Sequence, residues 1–158
     1  MAQLKKTIGA LLCVVCLLVP LNSATTRDVE YCNKKANYAV KVSGIDITPY
    51  PISRNVETTF AINAATDETI SGGKLKIDVA YWGFYIHSES HDLCQKTECP
   101  ISNGNFTITH KQALPGITPF GSYTLKMTLS DANKKELTCI NFYFSMGFIE
   151  AAEGLAEA

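Results

Sequence analysis

The stretch that decides the fold is "KLKIDVAY", Lys74–Tyr81. Leu75, Ile77, Val79 and Tyr81 alternate with Lys74, Lys76 and Asp78. Strict apolar–polar alternation sends the two sets to opposite faces of an extended chain, the mark of a half-buried antiparallel strand. The same period recurs on either side. In "VETTFAINAA" (56–65), Val56, Thr58, Phe60 and Ile62 share a face opposite Glu57, Thr59 and Asn63. In "YTLKMTLS" (123–130), Tyr123, Leu125, Met127 and Leu129 alternate with Thr124, Lys126 and Thr128. In "CINFYFSM" (139–146), Ile140, Phe142, Phe144 and Met146 stand opposite Cys139, Asn141, Tyr143 and Ser145.

Two shorter runs join these, "NYAVKVSGIDI" (37–47) and "NFTITH" (105–110). In the first, Val40 and Val42 are in one phase and Ile45 and Ile47 in the other. The slip falls at Ser43-Gly44, where a bulge costs little. A similar slip near Gly83 puts Trp82, Phe84 and Ile86 on one face of a long central strand that runs to Cys94. Gly- and Pro-rich breakers separate the runs, and no segment after the N-terminal apolar stretch holds a helical period over the ~11 residues that a helix reading needs. Several short strands with regular turn signals predict an all-β sandwich.

The N-terminus sets the compartment. Lys5 and Lys6 precede an apolar stretch from Ile8 to Leu21, broken only by Gly9 and Pro20, and the small residues Ser23 and Ala24 follow. This is the layout of a secretory signal over residues 1–24, cleaved after Ala24 and too short to span a bilayer. Its removal leaves one domain, residues 25–149, with a short acidic tail at 150–158. Losing Lys5 and Lys6 from 14 basic residues leaves 12 against 15 acidic ones. A mildly acidic chain has no electrostatic reason to seek nucleic acid or an anionic membrane surface.

Four cysteines remain after the leader: Cys32, Cys94, Cys99 and Cys139. An even count in an oxidising compartment reads as disulfides, and the absence of a CxxC pair argues against zinc or redox chemistry at these thiols. Four cysteines allow three connectivities. Pairing the near neighbours Cys94 and Cys99 closes a small loop and leaves Cys32 with Cys139.

Catalysis finds little support. The chain has no GxSxG, HExxH or phosphate loop, and "SGGK" reads as a turn before a strand. His87, His91 and Asp92 lie close together in "IHSESHDLC" (86–94), which reads as a polar loop leading into a disulfide rather than as a metal clamp. His110 alternates with Phe106 and Ile108 and reads as an edge histidine with its polar atoms satisfied. No cofactor, no resident metal and no enzymatic activity are expected. "NFT" at Asn105 is a glycosylation sequon whose side chain points away from Phe106 and Ile108, hence outward.

The remaining signal is apolar. The inward positions carry large side chains: Phe60, Ile62, Val79, Tyr81, Phe84, Ile86, Phe106, Ile108, Leu125, Met127, Ile140, Phe142, Phe144 and Met146. Two arrangements put these residues inside, a filled core and a core that leaves an apolar cavity, and periodicity does not separate them. "ALPGITPFGS" (113–122) adds Ile117 and Phe120 in a Gly- and Pro-rich connection, either as an entrance or contact surface or tucked under the sandwich edge.

The order of these features resembles the ML (lipid-recognition) domain family over essentially the whole mature length. The matching residues are Cys32, a strand running to Cys94, "CQKTECPI" (94–101) followed by Gly104, "ITHKQALP" (108–115) and a last strand holding Cys139. The family includes the lysosomal sterol carrier of Niemann–Pick type C disease, fungal phosphatidylglycerol/phosphatidylinositol transfer proteins and plant homologues. "DVEYCNKKANYAVKVSGIDITPYPI" (28–52) resembles the plant branch. The resemblance implies an immunoglobulin-like, two-sheet antiparallel β-sandwich with a sterol or phospholipid held in an apolar gap between the sheets. It also implies the pairings Cys32–Cys139 and Cys94–Cys99. By the same resemblance the cavity mouth lies at Phe84 and Ile86 on one side and at Ile117, Pro119 and Phe120 on the other. Two departures are visible: a further cysteine pair of the sterol carriers is absent, and their Pro-rich mouth strand is here "WGFYIHSES" (82–90). The expectation is a monomeric lipid-transfer protein of the secretory pathway, extracellular or in the vacuolar/lysosomal lumen. The alternative is a recognition module that presents lipid or the apolar loop to a membrane-protein acceptor.

Overall fold

Each alternating run forms a strand in the computed structural model, which describes residues 25–147. The expected leader (1–24) and tail (150–158) lie outside the described residues. The strands are β1 (Thr25–Arg27), β2 (Glu30–Tyr31), β3 (Val40–Thr48), β4 (Glu57–Thr66), β5 (Gly73–Tyr81), β6 (Phe84–Asp92), β7 (Gly104–Ala113), β8 (Gly121–Asp131) and β9 (Glu136–Met146). One sheet has the order β1-β3-β4-β7 and the other β2-β9-β8-β5-β6. All pairings within the two sheets are antiparallel. Strands β6 and β7 are therefore edges.

Alternation predicts the buried faces well. Phe60, Ile62, Leu75, Ile77, Leu125, Met127, Ile140, Phe142, Phe144 and Met146 are all buried in one core. The expected slip in β3 is a register shift between Val42 and Gly44, which lets Val40 and Val42 as well as Ile45 and Ile47 reach the interior. The slip expected near Gly83 is corrected. The chain reverses there instead, with Tyr81 paired to Phe84 across a two-residue hairpin turn. Trp82 and Gly83 both have positive φ, 48° and 83°, the geometry that matches a tight turn to the twist of its strands. The "long central strand" is thus β5 and β6, and Trp82 belongs to the turn rather than to a face shared with Phe84 and Ile86. The true irregularity opposite Val79 and Ala80 leaves Ile86 as the extra residue of β6.

Both disulfides form. Cys32 bonds Cys139, with Cα atoms 5.4 Å apart, and Cys94 bonds Cys99 at 5.3 Å. The first ties the start of the domain to β9. The second closes a small loop after β6 and includes a single 3-10 turn at Leu93–Gln95, capped by the Asp92 carboxylate accepting from the Cys94 amide at 2.8 Å. Leu93, Ile70 and Ile101 are buried here, and Ile70 and Ile101 exchange backbone hydrogen bonds. These residues plug one end of the gap between the sheets.

Candidate functional site: a cavity between two sheet edges

The other end of the gap is open. A cavity of about 290 Å³ lies between the sheets where edges β6 and β7 face each other. Its apolar wall comes from Phe60 on β4, Ile77 and Val79 on β5, Ile86 on β6, Tyr123 and Leu125 on β8, and Phe144 on β9. Behind them an aromatic ladder fixes the floor. Phe142 stacks on Phe144 at 5.6 Å, Phe144 stacks on Tyr123 at 5.2 Å, and Phe60 meets Phe142 edge-on at 6.1 Å. The Tyr123 hydroxyl donates to the Pro119 carbonyl at 2.7 Å, and burial pushes its pKa up, so it remains a donor.

The rim is also apolar. The Tyr81 hydroxyl donates to the Phe120 carbonyl at 2.9 Å, which binds the β5–β6 hairpin tip to the 115–120 loop. Gly121 permits this approach: with φ of +140°, a Cβ there would sit 2.8 Å from Trp82 Nε1 and 2.9 Å from Tyr81 Cε2. Around this junction Trp82, Phe84, Tyr85, Ile86, Ile117 and Phe120 are all exposed, Ile117 at 91 % and Phe84 at 76 %. The Arg54 guanidinium lies over the Phe120 ring at 3.8 Å from its centroid.

The expected lipid-facing residues divide into four groups. Phe60, Val79, Ile86, Leu125 and Phe144 line the cavity. Ile62, Ile108, Met127 and Ile140 surround a separate void of only about 10 Å³ at the plugged end, at the lower limit of the ~10–15 Å³ that one water needs. Phe142 is fully buried behind the wall, while Phe106 and Tyr81 are half-buried at its margins. Phe84, Ile117, Pro119 and Phe120 stand outside at the rim. Phe84, opposite Tyr81, and Ile86, on the cavity wall, keep the expected phase, but neither is buried: both lie on edge strand β6 at the open end of the sandwich and stay exposed. Asn105 is exposed on edge strand β7.

Sequence reasoning missed one polar feature of the wall. Glu89 Oε1 lies 3.2 Å from His91 Nε2 and 3.2 Å from His110 Nε2, and Glu89 Oε2 lies 3.7 Å from His87 Nε2. Asp92 takes no part, being committed to its cap. His110 is buried, and its Nδ1 has no hydrogen-bond partner among the described residues, so the expectation of a satisfied edge histidine holds for the edge and fails for the satisfaction. Burial pushes its pKa below the ordinary histidine value, outweighing the Glu89 charge, so the ring is neutral at neutral pH. Burial raises the Glu89 pKa, but His91, His110 and His87 together hold it below the ordinary value, so the carboxylate is charged. The signal was half legible: His87, Glu89 and His91 share a period of two. His110 comes from a strand 19 residues further on, and nothing local links it to Glu89.

Residues 26–146 match the sequence profile of the ML domain. The chain belongs to the ML domain family. The MD-2-related lipid-recognition protein ROSY1 of Arabidopsis thaliana is 31% identical over 122 residues, spanning 72% of this chain and 73% of its own. A phosphatidylglycerol/phosphatidylinositol transfer protein of Neurospora crassa is 28% identical over 121 residues, 71% of this chain and 68% of its own. Among solved structures, a Niemann-Pick type C2 protein from the Japanese carpenter ant superposes with a TM-score of 0.61 at 15% identity, covering 77% of this chain and 100% of that one. The fold of this ML domain is thus shared with a chain of very different sequence.

Proposed function

We propose that this ML domain binds a lipid between its sheets and transfers it between membranes. The observation that carries the reading is the open, apolar end of the sandwich, with a cavity of about 290 Å³ beneath an apolar rim. The names of the relatives, lipid-recognition and phosphatidylglycerol/phosphatidylinositol transfer proteins, support it. The mechanism is burial rather than bond chemistry. Each methylene taken from water is worth ~0.8 kcal/mol, so an acyl chain or sterol is held without an ionic contact. The volume lies at the lower end of the ~300–1,000 Å³ range of ligand pockets. It suits one chain or ring system inside, with the rest of the lipid at the rim beside Ile86 and Phe120. The reading places the protein in the secretory pathway as a monomer, with residues 1–24 as the cleaved leader and Asn105 open to glycosylation. The two disulfides suit such an oxidising compartment.

The test is uptake. Delipidated protein mixed with a panel of radiolabelled sterols and phospholipids should bind one of them at one-to-one stoichiometry. Native mass spectrometry of the protein purified from its own source should show the same lipid class. Failure to take up any member of a broad panel overturns the proposal.

A second reading is favoured by Ile117, which is 91 % exposed at the tip of its loop. There the ML domain presents its cargo, and Ile117 and Phe120 contact a membrane-protein acceptor. Under that reading Ile117→Asp abolishes acceptor capture while bound lipid is unchanged. If lipid uptake falls instead, the loop is a gate.

A further inference from the structure

The Glu89–His91–His110 cluster is a polar group in a largely apolar wall, and holding a lipid by burial does not require it. From the geometry we propose that these three side chains form a binding site for a divalent transition metal of the zinc class, clasping the free edges of the two sheets at the cavity wall. This departs from the expectation of a metal-free chain.

The donor set is the first argument. Two imidazoles and one carboxylate make a His₂Glu set, which suits zinc with a fourth position left to water. The spacing is the second. Tetrahedral ligands at the ~2.0–2.2 Å of Zn–N and Zn–O bonds lie about 3.3–3.6 Å from one another. Glu89 Oε1 lies 3.2 Å from each of the two histidine Nε2 atoms, and all three ligand atoms fall within 4.8 Å of one another. The two Glu89–histidine distances are thus close to the spacing of a tetrahedral site, and side-chain rotation would bring the two imidazoles to it.

The third argument is that the cluster is not satisfied as it stands. His91 Nε2 is buried with no aligned hydrogen-bond partner, although it lies within ion-pair distance of Glu89. His110 has only 4% of its side chain exposed, and its Nδ1 is likewise unpartnered. Leaving a buried polar atom unpaired is costly, so such atoms point to an absent partner. An ion ligated by His91 Nε2, His110 Nε2 and Glu89 Oε1 supplies that partner for His91. The backbone holds the ligands in place. Glu89 and His91 are two residues apart on β6, so they share its inner face. The Thr109 amide donates to the Lys96 carbonyl at 2.8 Å, which anchors β7 next to His110 against the loop that follows β6. Glu89 and His91 keep about a quarter of their side chains exposed, which leaves an entry path. The exposed His87, 3.7 Å from the other Glu89 oxygen, stands outside the ligand set.

The experiment titrates Zn²⁺ into the full, disulfide-bonded chain after dialysis against a chelator, followed by calorimetry. One ion per chain is expected, with a Kd in the micromolar range or below. Co²⁺ loaded in its place should give the intense visible absorption of a four-coordinate site. Because outer-shell changes alone cost ~10–100-fold in affinity, His91→Gln and Glu89→Gln should each weaken binding by about 100-fold or more. His110→Gln should do the same. It is the most buried position, so the two β6 variants carry the test if it fails to fold. His87→Gln should keep the stoichiometry and stay within about tenfold of wild-type affinity. No Zn²⁺ uptake, no four-coordinate Co²⁺ spectrum, binding that survives His91→Gln and Glu89→Gln undiminished, or binding lost in His87→Gln overturns the site. Lipid uptake measured on the same samples keeps this outcome separate from the lipid-binding proposal.

Discussion

The two ends of the gap between the sheets are built from the same strands and end differently. On β4 the open end has Phe60 and the plugged end Ile62; on β8 the pair is Leu125 and Met127; on β9, Phe144 and Ile140. The partners are two residues apart on β4 and β8, and four apart on β9, and all six point inward. One set borders a cavity of about 290 Å³ and the other a void of about 10 Å³. Alternation is equally good in both, so it is not what separates them. The difference lies in what covers the ends. Leu93, Ile70 and Ile101, brought in by the Cys94–Cys99 loop and its backbone bridge, fill one end. At the other end Ile117 and Phe84 remain in solvent and the sheets are left unsealed.

That contrast can be broken in four ways. The largest effect is expected from the disulfides. In the chain-entropy model, losing Cys32–Cys139 costs about 4–5 kcal/mol and losing the short Cys94–Cys99 link about 2 kcal/mol. Urea unfolding of the Cys32→Ala/Cys139→Ala and Cys94→Ala/Cys99→Ala variants measures both. The short link should matter more than its loop length predicts if it holds the plug in place, with near-ultraviolet signals of the core changing as well.

Next in size is truncation at each end. Met127→Ala at the plugged end should cost 2–5 kcal/mol, because it opens a new void in packed surroundings, whereas Leu125→Ala at the open end should fall at or below about 2 kcal/mol. Equal losses by denaturant midpoint would mean that the open end is as tightly packed as the other. Filling the cavity comes third. Val79→Trp should reduce lipid affinity about tenfold, a change of ~1.4 kcal/mol, with little loss of stability. Unchanged uptake would place the lipid elsewhere. The smallest change is at the rim. Ile117→Asp should leave stability within about 0.5 kcal/mol, as befits an exposed loop side chain. A larger shift in thermal unfolding would show that the loop packs more closely than its exposure indicates.

Much of this was legible in the chain. The period of two placed Phe60, Ile77, Leu125 and Phe144 inside, and the break in phase at Ser43-Gly44 marked the bulge of β3. The hairpin at Trp82-Gly83 is hidden in the sequence because a bulky Trp is an unusual occupant of a positive-φ turn position, so the run reads as continuous. A two-residue reversal and a one-residue slip produce the same change of phase in a sequence. The metal-class cluster was only half visible. His87 and His91 drew attention, but Asp92 is spent on a cap, and the second buried ligand arrives from β7.

By itself the sequence determined the strands, the face each residue takes and the cysteines available for bonding, because these follow from local periodicity and from the chemistry of side chains. Only the tertiary structure decided how far apart the two faces stand, which end is plugged, and which histidine meets Glu89. Alternation specifies a direction for each side chain but no distance to the opposite sheet. That distance depends on the residues that cap each end and on how the edges β6 and β7 are held, and these are contacts between segments remote along the chain.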